Sequence, residues 1–254
     1  MNIVTICSTN WIDHLDRFLY FAKKAMPMAN IHVLLVYSKA QDTTDFLVKV
    51  KDTLLTLVKA VRFTTEIEMP GRLMFYDYVR SELLNAFHLT EALYVDVDVD
   101  ILQDVSDLPT LAPDAEIMAC LDPYGPTNSV QVAFKQYDIT WGGLNYQIGA
   151  LYMRQSFEQE FKQLVREQRI PMAGEFMPGS AIWNVILHRH KAAVIPETYH
   201  ACWQRGLALL TTKIIHFNGP VWQKLRLHCT YPTINPNTLQ FNPQPTGRFL
   251  LKDI

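Results

Sequence analysis

Ala92-Leu93-Tyr94-Val95-Asp96-Val97-Asp98-Val99-Asp100-Ile101 runs an apolar, β-branched and aromatic segment straight into three carboxylates at alternating positions. Read as a strand, it points Asp96, Asp98 and Asp100 to one face, because side chains alternate with period two. Three like charges on one face repel, and none survives burial without a compensating cation. Hard oxygen ligands at this spacing suit Mn²⁺ or Mg²⁺ shared with a substrate phosphate. The plainer alternative is an edge-strand tip whose acids face water. The hydrophobic strand leading directly into the acids favours the metal.

The chain before this stretch alternates strand and helix. Residues 3–7 predict a buried strand ending in the polar turn Ser8-Thr9-Asn10. Leu15, Phe18, Leu19 and Ala22 mark a helix that stops before Pro27. A second strand follows at 31–37, a helix with Leu47, Val50, Leu54 and Leu57 on one face, and a third strand at 60–63. Phe75, Val79, Leu83 and Phe87 define the helix that feeds the acidic strand. Such alternation predicts an α/β fold with a mainly parallel central sheet and helices on both faces. Ligands of these sheets gather beyond the carboxyl ends of the strands, where Ser8-Thr9-Asn10 and Asp96-Val97-Asp98 lie. Arg80, in the feeding helix, is placed either to balance phosphate charge or to form a surface ion pair with Glu82 or Glu91.

Beyond the acids the pattern predicts strands at 116–121, 147–153 and 213–217. Helices follow from Phe157, Phe161, Leu164 and Val165, and from residues 181–187. Residues 124–137 show no clear period and read as a long covering loop. Gly149 marks either a close backbone approach to a ligand or a bulge. His188 and His190, two apart, fall on different helix faces and make no metal pair. His216, near the end of a late apolar strand, is either a metal donor or a satisfied structural histidine.

With 254 residues, 49% of them hydrophobic and 19% charged, the chain has material for a large core. A single domain over 1–231 is expected, followed by a Pro- and Asn-rich wrapping segment at 232–254. A net charge of −2 gives no basic field for nucleic acid. Cys7, Cys120, Cys202 and Cys229 are scattered, without Cys-x-x-Cys, and read as reduced thiols. No signal peptide or transmembrane run is visible, so a cytoplasmic protein is expected, with peripheral membrane contact left open. Phosphate loops of the P-loop or Rossmann type and the Gly-x-Ser-x-Gly nucleophile turn are lacking.

Taken together, these pieces resemble the nucleotide-sugar glycosyltransferases of GT-A fold, most closely the retaining glycosyltransferase family 8, from Ile3 to about Trp222. Tyr78-Val79-Arg80-Ser81-Glu82-Leu83-Leu84 followed by Leu93-Tyr94-Val95-Asp96-Val97-Asp98 is similar to the family's arginine-bearing helix and its Leu-Tyr-Leu-Asp-x-Asp strand. Ile214-Ile215-His216-Phe217-Asn218-Gly219 is similar to its His-Phe-x-Gly motif. The resemblance implies a metal held by Asp96, Asp98 and His216. It also implies donor contacts from Ser8, Thr9, Asn10, Arg80, Val97, Gly219 and Lys224. Asp98 and Gln147 would be the catalytic residues, Gln147 standing where the family's strand carries asparagine.

Two departures stand out. The family's Lys-Pro-Trp is replaced by Pro220-Val221-Trp222-Gln223-Lys224, and its Asp-Gln-Asp by Pro178-Gly179-Ser180. The implied reaction is transfer of a sugar from a nucleotide diphosphate, a UDP-sugar, to the hydroxyl of a glycan or other acceptor, with retention. Asp100 is left with three roles: ligand through water, partner of a sugar hydroxyl, or, as favoured here, a carboxylate facing solvent. Glu175 and Asp122 are further acids that could approach the sugar. The competing readings are a sugar-phosphate nucleotidyltransferase, disfavoured by the lack of a glycine- and basic-rich loop after the first strand, and an inactive GT-A protein that binds nucleotide, glycan or metal without turnover.

Overall fold

A computed structural model describes residues 1–8, 11–37, 59–65, 72–122, 125–140, 142–167, 169, 178–202 and 212–217. Its first strand, β1 (Asn2–Ser8), is followed by α1 (Ile12–Ala25), β2 (Asn30–Tyr37), β3 (Ala60–Thr65) and α2 (Arg72–Ala86). Next come β4 (Ala92–Val95), β5 (Val99–Ile101), β6 (Ile117–Leu121), α3 (Asn128–Gln136) and β7 (Tyr146–Met153). The remainder is α4 (Glu158–Glu167), α5 (Pro178–Arg189), β8 (Ala192–Val194), β9 (His200–Cys202) and β10 (Ile214–His216). The helix expected around residues 47–57, the segment 232–254, Cys229 and Glu175 lie outside the described residues.

Seven strands form one sheet in the order β3-β2-β1-β4-β7-β6-β8. All its pairings are parallel except the two made by β7, which runs against β4 and β6. The expected α/β fold with a mainly parallel sheet is therefore present. Alternation along the strands sorts side chains into two cores. From β1 and β4, Val4, Ile6, Ala92 and Tyr94 join the side covered by α2, α3, α4 and α5, with Phe75, Phe134, Phe161 and Trp183. Ile3, Cys7, Leu93 and Val95 join the opposite side, under Leu15, Phe18 and Leu19 of α1. Among the described residues, no helix is long and apolar enough to cross a membrane.

Two expectations need correction. Residues 124–137 are not an unstructured cover, since α3 occupies most of them. Thr127 accepts from the Val130 amide at its start, and Val130, Ala133, Phe134 and Tyr137 bury one stripe. The acidic stretch is also not one strand. β4 stops at Val95, a turn carries Asp96 to Asp98, and β5 enters a second sheet of order β5-β10-β9.

Asp100 consequently does not face solvent. It is 1% exposed and receives Arg17 Nη2 of α1 at 2.8 Å and Nε at 3.0 Å on the same oxygen, with Nε also 3.3 Å from the other. Burial makes the partner obligatory, because a lone carboxylate there keeps its desolvation cost without the Coulombic return. Arg17→Met is expected to destabilise the chain by about 3–5 kcal/mol in urea titrations. Adding Asp100→Leu should recover part of that loss, since it removes the stranded charge.

Candidate active site

β4 delivers Asp96 to the carboxyl edge of the large sheet, where its amide donates to the Gly149 carbonyl of β7 at 2.8 Å. The turn closes with the Val99 amide on the Asp96 carbonyl, at 3.2 Å. β5 then pairs antiparallel with β10, placing His216 opposite Val99. Phe217 N–H donates to the Asp98 carbonyl at 3.1 Å. Backbone pairing alone thus carries a distant histidine to the two acids.

One ligand atom from each of Asp96, Asp98 and His216 lies within 4.8 Å of the others. His216 Nε2 is 3.2 Å from Asp98 Oδ1 and 3.7 Å from Asp96 Oδ2. Ligands about 2.1 Å from a small divalent ion are separated by about 3–4 Å, so these spacings fit one. The two carboxylates suit a hard divalent cation, and an imidazole nitrogen is a common metal ligand. In the metal-free state the imidazole carries the compensating charge. Burial alone would pull its pKa down, but Asp98, and then Asp96, hold it well above the usual histidine range. His200, 1% exposed with its ring 5.8 Å from that of His216, stays neutral, pushed down to about 3 by burial and by His216.

The other ring nitrogen is held by Gln147. Its Nε2 lies 2.7 Å from His216 Nδ1, while its Oε1 accepts the Gly149 amide at 2.8 Å. The charged ring carries a proton on each nitrogen, Nε2–H directed toward Asp98 and Nδ1–H toward the Gln147 amide. Ligation through Nε2 needs that nitrogen to lose its proton while Nδ1–H stays, a form that Gln147 supports with its oxygen turned to Nδ1. Gly149 is the reason the ring fits. A Cβ there would lie 2.1 Å from His216 Cε1. Sequence reasoning offered a ligand approach or a bulge at Gly149. The close neighbour is the imidazole, and the β6–β7 register does shift at Ala119/Cys120, opposite this part of β7.

Arg80 is 5% exposed and pairs with neither Glu82 nor Glu91. Its Nη2 donates to Asp96 Oδ1 at 3.0 Å and to Tyr94 Oη at 3.1 Å, and its Nη1 to Asp77 Oδ1. Tyr94 Oη donates to the same Asp96 oxygen. Asp96 therefore divides its two oxygens, Oδ1 to Arg80 and Tyr94, Oδ2 toward His216. Such outer partners fix the orientation of a metal-ligating carboxylate. Asp77 and Tyr94 were missed in the sequence. The spacing of Asp77 and Arg80, three apart on one helix, was the available signal.

Of the remaining candidates, Ser8 is buried at the end of β1, on the sheet edge that also carries Asp96. Val97 turns its side chain into the apolar cluster beneath α1. Thr9, Asn10, Gly219 and Lys224 lie outside the described residues.

No protein-family model and no curated protein sequence matches the chain. Solved structures do. The galactosyltransferase LgtC, determined with donor and acceptor sugar analogues, superposes with a TM-score of 0.63 at 15% identity, covering 87% of this chain and 88% of its own. The bifunctional glycosyltransferase WbbM gives 0.62 at 12% identity, over 91% of this chain and 50% of its own. The glycosyltransferase GlyE of Streptococcus pneumoniae TIGR4 gives 0.61 at 12%, over 94% and 61%.

This chain has the GT-A glycosyltransferase fold. On that framework, Pro178-Gly179-Ser180 opens α5 without an acid. The structure instead sets the Asp77 carboxylate of α2 against Gly179, where a Cβ would come within 2.0 Å of Asp77 Oδ2. Burial raises the Asp77 pKa, Arg80 lowers it and Asp96 raises it again, leaving it at about 6.

Three outcomes are expected from these contacts. Gly149→Ala should abolish the Mn²⁺-induced rise in melting temperature by displacing the His216 ring. In a His216→Ala background the same substitution should cost far less stability than in the wild type, a coupling that a double-mutant cycle reads directly. Gln147→Leu should weaken Mn²⁺ binding by about 10–100-fold in calorimetric titration, the usual loss when an outer partner of a histidine ligand is removed.

Proposed function

We propose that this chain is a metal-dependent glycosyltransferase that moves a sugar from a nucleotide diphosphate, a UDP-sugar, to the hydroxyl of a glycan or other acceptor, with retention of anomeric configuration. The observation that carries the reading is the convergence of Asp96, Asp98 and His216 at the carboxyl edge of a GT-A sheet. These three residues would hold one Mn²⁺ or Mg²⁺. Such an ion would supply positive charge beside the leaving group, favouring departure of the diphosphate. In the transfer the bond from the anomeric carbon to the diphosphate oxygen breaks, the diphosphate keeping the electron pair. The acceptor oxygen forms the new bond to that carbon, and its proton passes to the departing diphosphate oxygen.

The remaining roles follow from position. Arg80 stays charged and buried, holding Asp96 in its ligating orientation and adding positive potential beneath the phosphates. Gln147 sets the His216 tautomer. Ser8, with Thr9 and Asn10, is assigned to the nucleoside, the Val97 backbone to its ribose side, and Gly219 and Lys224 to the phosphates. The free thiols of Cys7, Cys120 and Cys202 support a reducing compartment, the cytoplasm. Replacement of the expected acids by Pro178-Gly179-Ser180 favours the second reading, a protein that binds donor without turnover.

Donor hydrolysis separates the two. Purified chain incubated with a panel of UDP-sugars is expected to release UDP in Mn²⁺ and not in EDTA. Mn²⁺-dependent binding without release in any combination of donor and acceptor points to the inactive protein. Asp98→Asn should eliminate metal-dependent donor binding, read as loss of the thermal shift that UDP and Mn²⁺ produce together. Unchanged donor affinity in that variant defeats the site assignment.

A further inference from the structure

At the amino end of β6, on the sheet edge opposite the metal cluster, three elements meet at one imidazole. His190 follows the last turn of α5 and precedes β8, Glu116 stands just before β6, and Glu160 projects from α4. His190 Nε2 is 2.6 Å from Glu160 Oε2, and Nδ1 is 3.1 Å from Glu116 Oε2. The Phe157 ring makes a T-shaped contact with the imidazole, centroids 5.0 Å apart. Each carboxylate has a further partner. Glu116 Oε2 also accepts the Lys191 amide at 3.0 Å, and its Oε1 accepts Gln155 Nε2 at 3.0 Å. Glu160 Oε1 lies 3.5 Å from Arg189 Nη1. The His190 side chain is 24% exposed, so solvent reaches it in the folded chain.

We propose that His190 is a proton-operated latch: as an imidazolium it ties the start of β6, α4 and the end of α5 together, and on losing its proton it releases one of its two carboxylates. A neutral imidazole has one N–H and one lone pair, so it serves one carboxylate and turns the lone pair on the other. Only the charged ring donates to both. Burial would pull the imidazole down, but hydrogen bonds to Glu160 and then Glu116 hold it above the usual histidine range. Glu116 does not take the proton instead, because the Lys191 amide and then His190 hold its carboxyl below its ordinary range. Among the described residues, the charged groups that meet the ring or its two acids are Glu116, Glu160 and Arg189. Arg189 keeps its charge throughout, and the Lys191 ammonium is turned to Asp114 at 3.5 Å, so neither replaces the lost proton.

A histidine whose pKa is raised by folding contributes stability that is whole below its unfolded value of about 6.5 and is lost as pH rises through the folded value. Rising pH therefore loosens the join, and mildly acid conditions keep it closed. The join matters beyond its own edge of the sheet. α5 is the helix whose first turn sets Gly179 against Asp77, so the latch and the candidate active site hold opposite ends of one helix. The latch is independent of the transferase reading.

The test compares the full chain with its His190→Gln and Glu160→Gln variants across neutral pH. The His190 Cε1–H resonance, assigned by its contact with the Phe157 ring, is expected to titrate above the free-histidine value of about 6.5, and in Glu160→Gln to move back toward it. The melting temperature of the wild type should exceed that of His190→Gln by a few degrees at about pH 6, and the gap should close as the resonance titrates. Over the same interval the amides of α4 and the last turn of α5 should lose hydrogen-exchange protection in the wild type and not in His190→Gln. A ring that titrates at or below the free-histidine value overturns the proposal. So does a melting-temperature gap that stays constant with pH, or a loss of protection common to both proteins. Glu160→Gln removes one partner without altering the ring, so its titration decides the matter even where His190→Gln weakens the fold at every pH.

Discussion

Negative charge gathered where β4 ends is the constraint around which the chain is arranged. Asp77, Asp96, Asp98 and Asp100 are all largely withdrawn from water, and buried carboxylates persist only where cations or donors meet them. The structure answers each from a different direction. Arg17 rises from α1 to Asp100, Arg80 from α2 to Asp77 and Asp96, and His216 arrives from β10 to face Asp96 and Asp98. Two guanidiniums are permanently charged and so do structural work. The imidazole is the replaceable one, able to trade its proton for a metal.

That division of labour explains the shape of the acidic turn. The sheet must stop at Val95, because Asp96 needs both a backbone tie to Gly149 and a side chain split between Arg80 and the open edge. The second sheet exists to return His216 to this point, and its register leaves little freedom, with His216 opposite Val99. Among the described residues, Gly149 and Gly179 are the two places where main chain yields space to a functional side chain, His216 in one case and Asp77 in the other. At each, the absence of a Cβ is what allows the approach.

Much of this could be read locally. Alternation in β1 and β4, the stripe on α1 and the four-residue steps on α2 are short-range patterns whose periods declare their element type. The Asp-x-Asp pair was equally visible, since its meaning lies in adjacent residues. The α3 stripe of Val130, Ala133, Phe134 and Tyr137 with its Thr127 cap was also present in the sequence, but Gly125 and Pro126 just before it obscured the period. Asp77 lay in plain sight three residues before Arg80. Nothing local distinguished it from a surface acid, because burial is a property of the neighbours that cover it.

The sequence by itself determined most of the elements, the sheet's mostly parallel character and the pairing of acids that bears the candidate chemistry, for these follow from interactions within a few residues. Tertiary structure decided which acid does what. Asp100 became an ion-pair partner because α1, 83 residues earlier in the chain, brings Arg17 over it. Asp96 and Asp98 met His216 because β5 and β10 pair. Charge compensation depends on distance in space, and only the folded chain sets that distance.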